Sequence, residues 1–176
     1  FDLKRPDRFH YILLAPNWRS WLVWGAWSLI AYSAAGALWL LGGLTGQNWG
    51  AGGWLAVVTL VLAAGTAGYS AYLFGQAEGR DFWQSPLLLP QLLVAAVVAG
   101  VASLVIVTAV AHLVTPDGRF LTAMLAGGLV AQGLVLVAEL FGSHSNADTA
   151  QAARLITHGP FSGRFWSWVM IAGVLV

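Results

Sequence analysis

The sequence contains no cysteine and very little charge. Of its 176 residues only 9% are charged and 59% are hydrophobic, whereas about a quarter of a soluble domain is charged. Without cysteine the chain forms no disulfide and offers no thiolate to zinc or to an iron–sulfur cluster. The net charge is +1 and no basic stripe is present, so nucleic acid is not expected as a partner. A soluble fold of this length cannot bury so much apolar surface, which places the chain among membrane proteins.

Long apolar runs predict the transmembrane spans. About 20 helical residues cross the hydrocarbon core, and four runs reach that length, while a fifth stops after 13 residues. The predicted fold is all-α: a polytopic transmembrane helix bundle of about five spans, forming one domain over 1–176. The predicted spans lie at about 21–44, 54–74, 87–114, 120–141 and 164–176. The incomplete fifth run, and an N-terminus without Met, indicate a piece of a longer protein.

Two other segments predict elements at the membrane surface. Residues 1–20 mix basic and apolar side chains and suit an interfacial segment. Residues 148–157 lie in the longest link and suit a short helix.

Basic residues predict the orientation. If successive links lie on alternate faces, seven basic residues share one face and Arg119 stands alone on the other. Short loops rich in Lys and Arg normally stay in the cytoplasm, so the N-terminal segment and the links 75–86 and 142–163 are predicted to be cytoplasmic. The seven basic residues are Lys4, Arg5, Arg8, Arg19, Arg80, Arg154 and Arg164.

Two ionisable residues fall inside the predicted spans. Glu139 is costly to bury at that depth, which favours a proton path or ligand site and makes it a catalytic candidate. Gly142 is only about one turn away, so an interfacial Glu139 that reaches headgroups is an equal alternative. His112 has no second histidine in a facing span, so haem ligation is disfavoured and an interfacial hydrogen bond is the simpler interpretation. No metal site is predicted.

The link after the second span carries a candidate quinone site. Tyr72, Gln76 and Arg80 can donate hydrogen bonds to quinone carbonyls, Trp83 can pack on the ring, and Asp81 can accept a proton. A charged turn with an aromatic anchor explains the same residues, and composition alone favours that simpler interpretation.

Three stretches resemble one known family. The segments LKRPDRFHYILLAPNWRSWLVWGAW, GQAEGRDFWQSPLLLP and, more weakly, ARLITHGPFSGRFW are similar to NrfD/PsrC, the membrane subunits of polysulfide reductase-type complexes. On this resemblance the chain corresponds to the second to sixth spans, without the family's first helix and its C-terminal helices.

The resemblance implies a function in a respiratory redox complex. The chain would be a multi-pass subunit of a prokaryotic inner (cytoplasmic) membrane that binds menaquinone or ubiquinone, with no covalent or metal-bound cofactor of its own. Its expected partners are an iron–sulfur electron-transfer subunit and a molybdopterin or cytochrome subunit, so it would belong to an oxidoreductase without being a self-contained enzyme. The family's quinone pocket faces the iron–sulfur partner, often outside the cytoplasm, which opposes the charge rule. The alternative is a transporter or proton-conducting subunit with no redox role.

Overall fold

The computed structural model describes residues 10–47, 53–76, 85–111, 118–142, 147–160 and 162–172. These residues form helices and turns, and no strand occurs among them, so the predicted all-α fold is confirmed. The elements, in chain order, are α1 (Tyr11–Leu14), α2 (Trp21–Thr45), α3 (Trp54–Gly75), α4 (Leu88–Val110), α5 (Gly118–Phe141), α6 (Ala147–His158), α7 (Ser162–Arg164) and a π-helical segment (Phe165–Ala172).

Among the described residues, four helices are long and apolar enough to cross a membrane, namely α2, α3, α4 and α5. Helix α4 ends at Val110, before the predicted end at 114, and residues 112–117 lie outside the described residues, as does the end of the predicted fifth span beyond 172. The helices divide between two compact units, Phe1–Phe74 and Gly75–Val176. The single domain over 1–176 therefore stays a prediction.

Large apolar side chains cover the outer faces of the long helices. Leu60, Val61, Ile106 and Leu134 are each more than 60% exposed. Apolar residues on every face are typical of helices that meet other helices on one side and lipid on the other.

Hydroxyl side chains in these helices bond to their own backbone. Thr59 donates to the carbonyl of Leu55 at 2.7 Å, and Thr66 donates to that of Leu62 at the same distance. Ser103 and Thr108 of α4 make the same bond to the carbonyl four residues earlier. Because lipid offers no hydrogen-bond partner, this pairing lets a hydroxyl lie within the membrane at little cost.

Small residues allow α2 and α3 of the first unit to approach closely. The ring of Tyr69 packs directly on Gly25, where a Cβ atom would overlap it. Further along the pair, the indole N–H of Trp39 donates to the Thr59 hydroxyl at 3.0 Å. Close packing of backbones and hydrogen bonds between helices both promote the association of membrane helices.

Helix α2 ends through a glycine. Gly46 has a φ of 67°, and its N–H bonds to the carbonyl of Gly42. The N–H of Gln47 bonds to the same carbonyl at 3.0 Å. A residue with a side chain adopts this left-handed conformation only with strain, so Gly46 fixes the end of the helix.

In the second unit α4 and α5 pack antiparallel, and α6 lies against α5. A Cβ on Gly128 of α5 would stand 2.8 Å from a methyl group of Val98 of α4. Helix α6 covers the short helix predicted at 148–157 and buries Thr149, Ala153 and Thr157, which recur every four residues on one face. The end of α5, the start of α4 and α6 are thereby held together.

Candidate functional site

A cleft of about 350 Å³ opens in the second unit, where α4 begins and α5 ends. Helix α6 and the π-helical segment complete its walls. Five of the seven lining residues are apolar, and the other two carry an amide and a carboxyl group. An apolar recess with a few polar groups is the usual form of a small-molecule site. The lining residues are Leu88, Gln91, Leu136, Glu139, Leu140, Ile156 and Phe165.

The antiparallel packing of α4 and α5 explains why the two polar groups share one cleft. Gln91 lies in the first turn of α4, and Glu139 lies in the last turn of α5. Deeper in the pair, Gly128 and Val98 close the space between the helices. The cleft therefore lies at the end of the helix pair where α4 begins and α5 ends.

Glu139 is partly buried in this cleft. Among the described residues, no hydrogen bond or ion pair of its carboxyl group is found. An ionised carboxyl group in an apolar recess is able to accept a proton or a hydrogen bond from a bound molecule.

Two glutamines of α4 and α5 were not predicted from the sequence, one that lines the cleft and one that lies outside its lining. Gln91 lines the cleft beside Glu139. Gln132, two turns before Glu139 on α5, has a buried side-chain oxygen without a hydrogen-bond partner among the described residues. The sequence does carry a signal for both, because each amide interrupts a long apolar run, but a neutral amide is less conspicuous there than a charged residue or a histidine.

Two of the five residues predicted around the 75–86 link lie among the described residues. Tyr72 stacks on Trp21, with ring centroids 4.3 Å apart and planes 13° from parallel. Gln76 is exposed just after α3 ends. Arg80, Asp81 and Trp83 lie outside the described residues. The role of these five residues at a quinone site stays a prediction.

Thr157 contacts the imidazole of His158 at the end of α6. The Thr157 hydroxyl donates to the carbonyl of Ala153 at 2.8 Å and lies 2.8 Å from Nδ1 of His158. The carbonyl of Thr157 also accepts a bond from the indole of Trp166 at 3.3 Å. These contacts join the end of α6 to the π-helical segment, whose first residue, Phe165, lines the cleft. Within the described residues, no group of three or more acidic or histidine side chains forms a metal site.

The long apolar helices define a multi-pass membrane protein. The chain belongs to the family described as Polysulphide reductase, NrfD, whose profile matches residues 1–176, so the resemblance noted in the sequence is confirmed. Over 132 residues it is 28% identical to a protein of Halobacterium salinarum named as a putative membrane subunit of dimethyl sulfoxide reductase, with 62% of this chain and 30% of that protein covered. The chain thus spans less than a third of that relative's length. No solved structure matches the chain.

Proposed function

We propose that this chain is part of the membrane subunit of a reductase complex and that it binds a quinol in the α4–α5 cleft. The single observation that carries the proposal is the placement of Glu139 and Gln91 in an apolar recess at one end of the helix pair. Membership of the NrfD family supports it. So does the similarity to a protein named as a reductase membrane subunit.

The lining of the cleft suits the chemistry of a quinol. Leucine, isoleucine and phenylalanine side chains give the ring apolar walls. The amide of Gln91 can hydrogen-bond a ring oxygen in either redox state, because it both donates and accepts. Oxidation of a quinol to a quinone releases two protons and two electrons. Glu139 accepts one proton, and Asp81, in the segment that precedes α4, is the proposed acceptor of the second.

The electrons require a partner. With no cysteine in the chain, there is no thiolate to hold an iron–sulfur cluster here. We propose that an iron–sulfur subunit receives the electrons and passes them to a molybdopterin or cytochrome subunit of the same complex. The quinol would be menaquinol or ubiquinol of a prokaryotic inner membrane.

Replacing the carboxyl of Glu139 tests the proposal. Glu139→Gln keeps the shape of the side chain and removes its basicity. A positioned general base commonly contributes about a hundredfold or more to a rate, so quinol oxidation by the purified complex is expected to slow by at least that factor. Co-purification of the partner subunits should be unchanged.

A matched control removes a carboxylate elsewhere in the same unit. Asp148 is exposed in the first turn of α6 and does not line the cleft. Asp148→Asn should therefore oxidise quinol at the parental rate. Equal rates for the parent and Glu139→Gln would contradict the role of Glu139, and a purified parent without quinol oxidation and without redox partners would contradict the proposed function.

A further inference from the structure

We infer that Gln132 binds the inner oxygen of the quinol whose outer oxygen meets Glu139. The inference rests on the proposed function and assigns a second, deeper ligand to the same site. It begins with the side-chain oxygen of Gln132, which is buried yet has no hydrogen-bond partner among the described residues. A buried polar atom without a partner is destabilising, so native proteins normally supply one.

The neighbouring helix offers no side chain to fill this role. Between Gln91, which lines the cleft, and Val98, which packs against Gly128, α4 reads LLVAAV. None of these six side chains donates a hydrogen bond. The backbone N–H groups of this stretch lie within the helix and bond to the preceding turn. The proposed partner of Gln132 is a molecule that enters between the helices from the cleft, whose lining reaches Leu136, one turn from Gln132.

Position on α5 relates Gln132 to the cleft. Gln132 and Glu139 are seven residues apart, which puts them on the same face, two turns and about 10.5 Å apart along the axis. Leu136 lies between them and lines the cleft. A hydroquinone has its two oxygens at opposite ends of a flat ring, and with a hydrogen bond at each end it spans about this distance. The ring would lie along α5, over Leu136.

An amide suits the inner position better than a charged group. Its carbonyl accepts from a quinol hydroxyl, and after rotation its NH₂ group donates to a quinone carbonyl. Gln132 can therefore hold both the reactant and the product. It carries no charge, which limits the cost of its depth in the membrane. Glu139, nearer the end of the helix, then takes the proton of the outer hydroxyl, while the proton of the inner hydroxyl leaves to water in the cleft.

The same oxygen would also accept a bond from a trapped water molecule. A quinol and a water molecule would both donate an O–H group to Gln132, but only the quinol requires a ligand with a second hydroxyl group. A quinol bound by Gln132 needs its second hydroxyl, whereas a water molecule bound there makes no such demand.

The test compares two ligands in three versions of the purified complex. The ligands are a hydroquinone analogue and the matching phenol, which lacks the second hydroxyl, and each is measured as a competitive inhibitor of quinol oxidation. The variants are Gln132→Met, which keeps length and removes the amide, and Gln47→Met, which makes the same exchange at an exposed position after α2. The parent and Gln47→Met are expected to bind the hydroquinone about tenfold more tightly than the phenol, the value of one hydrogen bond.

In Gln132→Met this preference should fall to about one. If Gln132→Met still prefers the hydroquinone to the phenol, Gln132 binds a water molecule and the inference is overturned. A parent that binds both ligands equally well also overturns the inference. If Gln132→Met fails to assemble, Gln132→Asn retracts the amide by one methylene and should abolish the preference in the same way. Failure of the proposed function is distinct, because then neither ligand inhibits and Glu139→Gln leaves the rate unchanged.

Discussion

The hydroxyl group of Thr157 lies 2.8 Å from both the Ala153 carbonyl and Nδ1 of His158. It has a single hydrogen to donate. We predict that this hydrogen goes to the carbonyl, so that the hydroxyl accepts a hydrogen bond from a protonated Nδ1. Nε2 of the neutral imidazole then keeps its lone pair.

This tautomer is measurable by the ¹⁵N chemical shifts of the imidazole ring at a pH where His158 is neutral. The parent should show a protonated Nδ1 and an unprotonated Nε2. Thr157→Ser keeps the hydroxyl and should preserve the pattern, whereas Thr157→Val should shift the proton toward Nε2. A protonated Nε2 in the parent would contradict the assigned hydrogen bonds.

Tyr72 and Arg80 test the alternative quinone location, in the 75–86 link. Because the Tyr72 ring stacks on Trp21, Tyr72→Phe removes the hydroxyl and keeps the stacked ring. If the link touches the quinol headgroup, Tyr72→Phe and Arg80→Ala should each raise the apparent KM for quinol several-fold, the effect of one lost hydrogen bond. Parental KM values in both variants would assign these residues to the bundle's structure and leave the α4–α5 cleft as the site.

Glu139 could be predicted from the sequence as a candidate site residue, whereas Gln91 and Gln132 could not. A carboxyl group within an apolar run is conspicuous because its burial is costly. Gln91 and Gln132 are neutral, so neither stands out in the sequence. The structure distinguishes them because Gln91 lines the cleft and the buried oxygen of Gln132 has no hydrogen-bond partner among the described residues. The close approach of α4 and α5 at Gly128 determines which residues of α4 face α5. Hydropathy does not predict this contact.

At the level of the helices, the packing of α2 against α3 depends on the absence of a side chain at Gly25. A Cβ atom at position 25 would overlap the ring of Tyr69, including Cγ, the ring atom attached to the Tyr69 Cβ. Because Cγ moves little when the side chain rotates about the Cβ–Cγ bond, rotation of the ring does not relieve the overlap. Gly25→Ala is expected to lower the free energy of unfolding by about 1–3 kcal/mol, as overpacking usually does. Thermal unfolding in detergent measures the effect.

Gly36, in the same helix, is the matched control. A Cβ atom added at Gly36 would meet no other atom within 4 Å, and alanine favours a helix by up to about 1 kcal/mol over glycine. Gly36→Ala should therefore leave the stability unchanged or raise it. Equal loss in both variants would mean that Tyr69 does not pack on Gly25.

Hydropathy located the long helices and could not foresee the geometry after Ser162. Helix α2 covers Trp21–Thr45 and α3 covers Trp54–Gly75. The predicted spans, 21–44 and 54–74, each end one residue earlier. The segment Phe165–Ala172 is as apolar as these helices but adopts a π-helix. An apolar run does not determine whether the backbone bonds four or five residues back, since that choice depends on local packing.

For the molecule as a whole, the absence of cysteine from these 176 residues allows introduced cysteines to report the membrane topology of this segment. Gln47 follows α2 and Gln151 lies in α6, and both are exposed. Three long helices separate them along the chain, so Gln47→Cys and Gln151→Cys should be labelled by an impermeant thiol reagent from opposite sides of the membrane. The charge rule predicts that position 151 faces the cytoplasm.

Labelling of intact cells and of inverted vesicles distinguishes the outcomes. Both positions reacting from one side would contradict the number of spans. Reversed sides would preserve that number and overturn the charge rule in favour of the outward-facing pocket implied by the family.

The pairing of hydroxyl groups within helices also bears on how the protein is made. Thr59 and Thr66 bond to carbonyls of their own helix, so α3 can enter the bilayer during synthesis without waiting for a neighbour to cover them. In α5, by contrast, the side-chain oxygen of Gln132 has no hydrogen-bond partner in the part of the chain that the structure describes, and Glu139 carries a carboxyl group in the last turn of the same helix. Since α4 is synthesised first, it is already in place to shelter these groups when α5 leaves the ribosome. The order of the helices along the chain thus favours the insertion of α5, which carries these two polar side chains.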